Sequence, residues 1–206
     1  MSRRTKQSPE RGNARLRLLE AARDIIRAKG FAATSVDDLC RAADVTKGAF
    51  FHHFASKDAL GVAAADFWAE TTTDFFTAAP YHAPPDPLAR VLAYVAFRKA
   101  IILGEIAQFT CLVGTLAQEV YSSTPEVREA CARSIFGHTA TLEADIEAAR
   151  SDRGIAGDWT AESLARHTQA VIQGGFVLAK AGNDPALARE SLDHLDRYIR
   201  HLFHVT

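Results

Sequence analysis

Apolar residues recur along this chain at intervals of three and four, which is the spacing of one helix face rather than the alternation of a strand. In residues 14–29, Leu18 or Leu19 shares such a face with Ala22, Ile25 and Ile26, and Gly30 follows as a typical helix-ending residue. Alternating runs of β-branched residues are short throughout. The pattern therefore predicts an all-α fold.

Capping residues indicate where the helices begin. Thr34 or Ser35, followed by Asp37 or Asp38, is typical of a capping box. Residues 80–87 hold four of the seven prolines and are predicted to be a linker. Three later helices open with a capping residue followed by proline, at Asp86-Pro87, Thr124-Pro125 and Asp184-Pro185. Nine helices are predicted, near residues 14–29, 35–43, 46–54, 58–77, 87–104, 106–121, 125–150, 160–181 and 185–203.

Composition is that of a globular protein, since 48% of the residues are hydrophobic and 24% are charged. No apolar run approaches the roughly 18 residues that a membrane span requires, and the basic amino terminus lacks the apolar segment of a signal peptide. Cys40, Cys111 and Cys131 are far apart and odd in number, which favours reduced thiols over a disulfide framework or a zinc site. We therefore predict a cytoplasmic protein without a membrane segment.

Charge is distributed unevenly, although the net charge is only −1. Residues 1–57 hold 12 Lys and Arg against 6 Asp and Glu, whereas residues 58–206 hold 12 against 19. Such a basic block predicts that one end of the molecule approaches a polyanion, with chance clustering on a solvated surface as the alternative. Within the block, residues 1–12 are predicted to be a flexible arm whose Arg3, Arg4 and Lys6 touch the minor groove or phosphates.

Residues 35–54 are predicted to form a helix, a tight turn and a short second helix, with helix 14–29 as the third wall of a small core. In such a helix-turn-helix unit, the second helix lies in the major groove of DNA. Phe50 and Phe54 are spaced i and i+4 and are expected to face the core, which leaves Phe51, His52 and His53 on or near the outer face.

The residues around this second helix suit DNA contact. Thr46 lies at the helix start, where unpaired N–H groups favour phosphate, and Lys47 adds a positive charge. Gly48 allows the backbone to approach the groove, and Ala49 is suited to a thymine methyl group. Lys57 is expected to bind a further phosphate. Adjacent helical residues point about 100° apart, so His52 and His53 are not expected to chelate a metal.

Residues 14–60 resemble the DNA-binding domain of the TetR family of bacterial transcriptional regulators. The resemblance rests on "GFAATSVDDL" followed by "VTKGAFFHHFASKDAL", which is more specific than a generic helix-turn-helix. It implies a nine-helix homodimer whose larger domain binds a small molecule. Phenylalanine at position 51 stands where the family usually has tyrosine, so the phosphate hydrogen bond of that hydroxyl is lost. The resemblance implies phosphate contacts from Thr46, Phe51, His53 and Lys57, and base-edge contacts from Lys47, Gly48 and His52.

The predicted domains are therefore residues 13–57 for DNA binding and residues 58–206 for effector binding and dimerisation. Gly174 and Gly175 interrupt a helix at a cost of roughly 1 kcal/mol each relative to alanine, which a close helix–helix approach would explain. The family resemblance implies that this helix and the last one pair with their twins in the dimer. The alternative is that the last helix packs only within its own subunit. The apolar residues of the last helix are Leu192, Leu195, Ile199 and Leu202.

The effector site is predicted around helix 106–121. A stripe of small and polar residues on this helix lines a cavity if neighbouring helices enclose it, and is a solvated face otherwise. Cys111 on this stripe is read as an ordinary pocket or core residue, with a thiol sensor of electrophiles as the alternative. The predicted pocket residues are Gln108, Cys111, Thr115 and Gln118 of the stripe, with Phe97, Ile101, Phe136 and His138 as further walls.

The function expected from these features is a ligand-responsive repressor that binds a double-stranded DNA operator as a homodimer. No nucleophile–base set, glycine-rich phosphate loop or metal-ligand spacing predicts an enzyme, and no cofactor is expected. A protein-interaction adaptor that has lost DNA binding is the remaining alternative.

Overall fold

The computed structural model describes residues 9–205 of the chain, with side chains from Ala14 onward. All regular structure in this part of the chain is helical, which confirms the predicted all-α class. The helices are α1 Pro9–Lys29, α2 Val36–Ala42, α3 Lys47–His53, α4 Lys57–Thr77, α5 Pro87–Ala100, α6 Ile106–Phe109, α7 Leu112–Val120, α8 Pro125–Asp152, α9 Ala161–Gly182 and α10 Pro185–Leu202, with a 3₁₀ turn at Pro80–His82.

The predicted basic arm falls mostly outside the described residues. Arg3, Arg4 and Lys6 all lie there. Helix α1 already begins at Pro9, so the last residues of the predicted arm belong to a helix.

The single helix predicted over residues 106–121 is wrong, because the chain breaks between α6 and α7. Thr110 is extended, with φ −78° and ψ 159°, and ends α6. Its side chain is almost fully buried, as is that of Leu112 at the start of α7. Helical spacing in the sequence continues across the break, so the period alone did not show that packing turns the chain at this point.

The predicted linker at residues 80–87 is also wrong, because this proline-rich segment is a packed corner. Tyr81 is buried in the core, with its ring centre 5.2 Å from that of Tyr94. Arg90 donates to the carbonyl oxygens of Pro84 and Pro85, at 3.2 and 2.9 Å. Proline has no N–H to satisfy, so a short run of prolines can be enclosed once its carbonyl groups have donors.

The chain divides into two compact units. The head unit contains the residues up to Glu70 together with Leu112–Cys131. The body unit contains Thr71–Cys111 and the residues from Ala132 onward. The head unit is thus assembled from two separate stretches of sequence, and α7 belongs to it.

The core of the head unit brings α1, α2 and α3 together. Leu18, Ala22, Ile26, Leu39 and Phe50 are fully buried. This core is the one that the helical spacing of the sequence predicts.

Helix α7 is tied to the loop after α1. The backbone N–H of Ala32 donates to Oε2 of Glu119 at 2.8 Å. Gly30 ends α1 with φ +89°, and a Cβ atom there would collide with the Glu119 carboxylate. Glycine at this position therefore allows both the turn and the approach of α7.

The core of the body unit is formed by α5, α8, α9 and α10. Gly175 in α9 faces α10, where an added Cβ would lie 3.3 Å from the Cα of Ala188 and from the Cβ of Ser191. Leu192, Leu195 and Ile199 of α10 are buried in the same core.

Candidate nucleic-acid interface and effector cavity

The turn between α2 and α3 is closed by local hydrogen bonds. Asp44 adopts a left-handed conformation with φ 50°, which Asp and Asn tolerate better than most residues. The N–H of Val45 donates to the carbonyl of Cys40 at 3.0 Å. Thr46 then caps α3, with its Oγ1 accepting from the N–H of Ala49 at 3.1 Å.

Two phenylalanines fix α3 on the head unit and a third is presented to solvent. Phe50 is fully buried and Phe54 is nearly so, as their spacing predicts. Phe51 is 52% exposed, and its ring meets that of Phe50 edge-on at 5.1 Å. We call the exposed surface of this helix the α3 face, and it consists of Thr46, Lys47, Gly48, Phe51 and His52.

Gly48 and the two histidines complete the surroundings of this face. An added Cβ at Gly48 would meet only Oγ1 of Thr46, at 3.8 Å, so the space beyond this residue is open. The rings of His52 and His53 lie 5.0 Å apart at an interplanar angle of 72°. His53 and Ala49 are half-buried at the edge of the α3 face.

Lys47 forms an ion pair with α2. Its Nζ lies 3.0 Å from Oδ1 of Asp37, and both side chains are mostly exposed, at 59% and 64%. An ion pair this exposed contributes about 0–1 kcal/mol, so Lys47 can exchange Asp37 for a phosphate at little cost.

Lys57 is engaged within the head unit. Its Nζ donates to the carbonyl oxygens of Phe31 and Thr34, at 3.0 and 3.1 Å, and lies 4.4 Å from the centre of the Phe31 ring. Two of its three donor hydrogens are therefore used by the loop between α1 and α2.

A cavity of about 440 Å³ lies in the body unit, and we call it the body cavity. This volume is within the range of small-molecule sites. Its walls come from the end of α4, the 3₁₀ turn and the middle of α8. They are Thr73, Phe76, Thr77, Tyr81, His82, Gly137, His138 and Thr141.

A polar cluster lies behind the His138 wall of this cavity. Nε2 of His138 lies 2.8 Å from the hydroxyl of Tyr94 and 3.4 Å from Nη1 of Arg98, which also donates to that hydroxyl at 3.1 Å. Arginine only donates, so Nε2 accepts and the neutral ring carries its proton on Nδ1. Burial, assisted by the charge of Arg98, lowers the pKa of His138 to about 4. The imidazole is therefore neutral at pH 7.

Aromatic rings surround the same cluster. The guanidinium of Arg98 lies 5.0 Å from the centre of the Phe76 ring and 5.7 Å from that of Tyr94. Burial is the main cause that raises the pKa of Tyr81 to about 12, and the electrostatic effect of neighbouring Tyr94 adds to it. The hydroxyl of Tyr81 therefore stays protonated.

Comparison with known families matches most of the chain. Residues 18–64, which contain α2, α3 and their turn, match the profile of bacterial regulatory proteins of the tetR family. Residues 87–195 match the carboxyl-terminal domain described as Tetracyclin repressor-like. The chain belongs to the TetR family.

Curated relatives of this TetR-family chain are transcriptional regulators. It is 27% identical over 127 residues to the transcriptional regulator AcuR of Cereibacter sphaeroides, a match that covers 62% of the chain and 58% of AcuR. It is 41% identical over 46 residues to the HTH-type transcriptional regulator UidR of Escherichia coli, covering 22% of the chain and 24% of UidR. The chain thus spans less than two thirds of either relative.

Solved structures share the fold of this TetR-family chain. A TetR-family transcriptional regulator from Agrobacterium tumefaciens superimposes with a TM-score of 0.79 at 20% identity, over 91% of this chain and 98% of that one. At this identity, the likeness concerns the fold. Within the described residues, none of the helices has the length and apolar character to cross a membrane.

The structure brings only part of the predicted effector pocket of this TetR-family chain together. His138 lines the body cavity, and Phe97 packs behind it, with its ring 5.6 Å from Tyr81 and 6.1 Å from Phe76. Ile101 is half-buried at the end of α5. Phe136 is 58% exposed and does not line the cavity.

The polar stripe predicted on helix 106–121 is divided between the two units. Oε1 of Gln108 is exposed and accepts from the N–H of Glu105 at 2.8 Å, which caps α6. Nε2 of Gln118 donates to the carbonyl of Gly114 within α7, and Thr115 is half-buried on the same helix. Cys111 lies between α6 and α7 and is half-buried, whereas Cys40 and Cys131 are buried.

Sequence reasoning missed the residues that give the body cavity its chemistry. Tyr94 and Arg98 are spaced i and i+4 on α5. A basic residue in the last turn of a helix is common because it complements the helix dipole, so Arg98 carried no distinctive signal. The pair of an aromatic and a basic residue on the apolar face of α5 was the available clue.

The residues predicted for the dimer contact differ in exposure. Leu192, Leu195 and Ile199 are buried within the chain, and Leu202 is half-buried. Gly174 is exposed, with no atom within 4 Å of an added Cβ. Large apolar side chains that do reach the surface of α9 and α10 are Val177, Leu178 and Tyr198.

Proposed function

We propose that this chain is a ligand-responsive transcriptional repressor that binds a palindromic DNA operator as a homodimer and is released by a small-molecule effector. The observation that carries this proposal is the α3 face, which is exposed while Phe50 and Phe54 beneath it are buried. A helix held in this way presents a rigid surface to a major groove.

Each residue of the α3 face has a role in the proposed complex. Thr46 and Lys47 contact phosphate or base edges at the start of the helix. Gly48 admits the backbone to the groove, and His52 reaches a base edge from the next turn. Phe51 packs on sugar or on a thymine methyl group. Half-buried Ala49 and His53 extend the contact at its margin.

A palindromic operator requires two reading helices about 34–36 Å apart, and hence a dimer. The proposed dimer face consists of Val177, Leu178 and Tyr198, which are 46%, 53% and 44% exposed. Exposed Gly174 lies on the same helix as the first two and allows a partner helix to approach closely.

The body cavity is the proposed effector site. Helix α4 supplies Thr73, Phe76 and Thr77 to its wall, and the same continuous helix begins at Lys57 against the loop of the head unit. A ligand that binds the cavity more tightly in one position of α4 than in another shifts the population of DNA-binding states.

The proposal is tested by incubating the purified protein with sheared genomic DNA from its own organism and sequencing the retained fragments. We expect enrichment of one or a few palindromes, and a Lys47→Ala variant should bind them more weakly, with a salt slope reduced by about one unit. A protein that retains no DNA when its thiols are reduced and ligand is removed would instead be an interaction adaptor.

A second candidate function is a thiol-sensing repressor, because Cys111 is the most accessible of the three cysteines and lies at the break between α6 and α7. In this case an electrophile such as N-ethylmaleimide releases DNA from the wild type but not from Cys111→Ser. Equal release from both proteins excludes Cys111 as the sensor.

A further inference from the structure

Arg98 is a buried cation that has no carboxylate partner among the residues that the structure describes. Its exposed fraction is 8%, and within the described part of the chain its partners are the hydroxyl of Tyr94, Nε2 of His138 and two aromatic faces. Buried arginines are normally paired with an anion, because a charge withdrawn from water is costly when uncompensated. Asp145, the acidic residue that influences the nearby Tyr81, is itself held by both Nε and Nη2 of Arg90.

The body cavity and Arg98 share two neighbours. Phe76 and His138 line the cavity, and both contact Arg98, which does not itself line it. Because Arg98 and Tyr94 occupy Nε2, the ring of His138 offers Nδ1–H as its donor. Nδ1 has no hydrogen-bond partner among the described residues.

We propose that the body cavity binds an organic monocarboxylate, which accepts a hydrogen bond from Nδ1 of His138 and is attracted by the charge of Arg98 behind it. This inference rests on the proposed function, since it names the chemical class of the effector. The bound carboxylate supplies the negative charge that Arg98 lacks in the free protein.

The remaining walls indicate the rest of the ligand. Phe76 and Tyr81 present ring surfaces, so the body of the ligand is apolar or aromatic. Thr73, Thr77 and Thr141 also line the cavity, and threonine hydroxyls are suited to a second polar group of the ligand. The hydroxyl of Thr141 already donates to the carbonyl of His138 at 2.7 Å and so offers only its acceptor capacity. The cavity wall contains neither lysine nor arginine, so a single negative charge fits it better than a phosphate dianion.

The test compares carboxylates with their uncharged amides. A panel of straight-chain fatty acids from acetate to decanoate, with benzoate, phenylacetate and cinnamate, is titrated against the reduced protein by calorimetry at pH 7.5, each beside its matched amide. We expect at least one carboxylate to bind ten times more tightly than its amide. Arg98→Met should abolish this preference, whereas Arg98→Lys should retain part of it.

The matched control is Lys99→Met. Lys99 is the next residue on α5 and already has a carboxylate partner, since its Nζ lies 2.5 Å from Oδ1 of Asp193. This variant removes the same charge from the same turn and should change the carboxylate affinity less than twofold. If Arg98 served only to hold the fold, Arg98→Met would lower the melting temperature of the ligand-free protein; we expect that temperature to stay the same or rise.

The proposal is overturned if no carboxylate of the panel binds more tightly than its amide, or if folded Arg98→Met keeps the preference. Should Arg98→Met not fold, His138→Phe decides, because it leaves Arg98 in place and removes the Nδ1–H donor. DNA binding by the ligand-free protein is measured separately. If the ligand-free protein does not bind DNA, the proposed regulator function is rejected. If it still prefers carboxylates to amides, the proposed ligand class is kept.

Discussion

The ammonium group of Lys57 donates hydrogen bonds to two backbone carbonyl oxygens. Phe31 and Thr34, which carry those carbonyls, belong to the loop that joins α1 to α2. A single side chain at the start of α4 therefore holds the loop that leads into α2.

Lys57→Met is expected to lower the free energy of unfolding by about 1–3 kcal/mol, because both carbonyls lose their donor while the apolar stem is kept. Chemical denaturation of the two proteins measures this difference. Lys47→Met should have a much smaller effect, because Lys47 forms its ion pair with the exposed Asp37. Equal stability of Lys57→Met and the wild type would mean that these two hydrogen bonds contribute nothing to folding.

In the proposed DNA complex, Asp37 competes with phosphate for the ammonium group of Lys47. Asp37→Asn frees the ammonium group of Lys47 and removes a negative charge close to the proposed phosphate contacts. We therefore expect operator affinity to rise about two- to fivefold. This range corresponds to an exposed ion pair worth up to about 1 kcal/mol. Asp58→Asn, which removes the same charge from an exposed position in the first turn of α4, is the control. Fluorescence anisotropy with a labelled operator measures both, and an unchanged or weaker affinity in Asp37→Asn contradicts the competition.

At the scale of the element, α2 depends on one carboxylate. Asp38 accepts from Nζ of Lys29 at 2.8 Å, from both the backbone N–H and the hydroxyl of Ser35, and from Arg41 at 3.3 Å. The hydrogen bond from Lys29, followed by those from Ser35, holds the pKa of Asp38 well below its usual range. Helix α2 is only seven residues long, so this cap is a large share of what defines its beginning.

The stability contributed by Asp38 should depend on pH. Because the pKa is depressed in the folded state, the contribution is complete above the ordinary aspartate value of about 3.9 and is lost as the pH falls below it. The melting temperatures of the wild type and Asp38→Asn should therefore differ most near pH 7, and this difference should begin to shrink as the pH falls below about 4. Ser35→Ala retains the ion pair between Lys29 and Asp38 and should keep part of the pH dependence. A difference in melting temperature between the wild type and Asp38→Asn that stays constant with pH would contradict this account.

Helical spacing and capping residues were sufficient to predict most of the elements, including the proline starts of α5, α8 and α10. They failed at Thr110, where the apolar spacing continues although the buried side chain belongs to an extended residue. The α3 face was accessible to sequence reasoning because its residues are contiguous. Of the body cavity, the sequence indicated only His138, because Phe76, Tyr81 and His138 lie far apart in the chain and only tertiary packing brings them together.

At the scale of the whole molecule, α9 and α10 expose apolar side chains on neighbouring helices, and Leu178 is the most exposed of them at 53%. Apolar residues grouped in this way mark a surface suited to contact with a partner. Leu192, Leu195 and Ile199, by contrast, are already covered within the chain. The proposed dimer face therefore does not include the buried apolar residues of α10.

Leu178→Glu is expected to convert the proposed dimer to a monomer, because charge repulsion and burial of two carboxylates act across the same contact. Light scattering on a size-exclusion column measures the molar mass, and operator binding should fall with it. Leu103→Glu, at a residue that is 70% exposed, introduces the same charge in the body unit and should leave the mass unchanged. A dimer that survives Leu178→Glu would place the contact elsewhere.

The hydrogen bond from Ala32 to Glu119 has a consequence for building chimaeras. The head unit is not one continuous segment, because Leu112–Cys131 belongs to it and carries Glu119. If the residues up to the end of α4 were joined to the remainder of another protein, they would pack against the α7 of that protein. Gly30 would then face a side chain that has not been matched to it. Transplants that carry residues 112–131 with the head unit should express and melt like the parent, because the head unit is then moved with both of its segments.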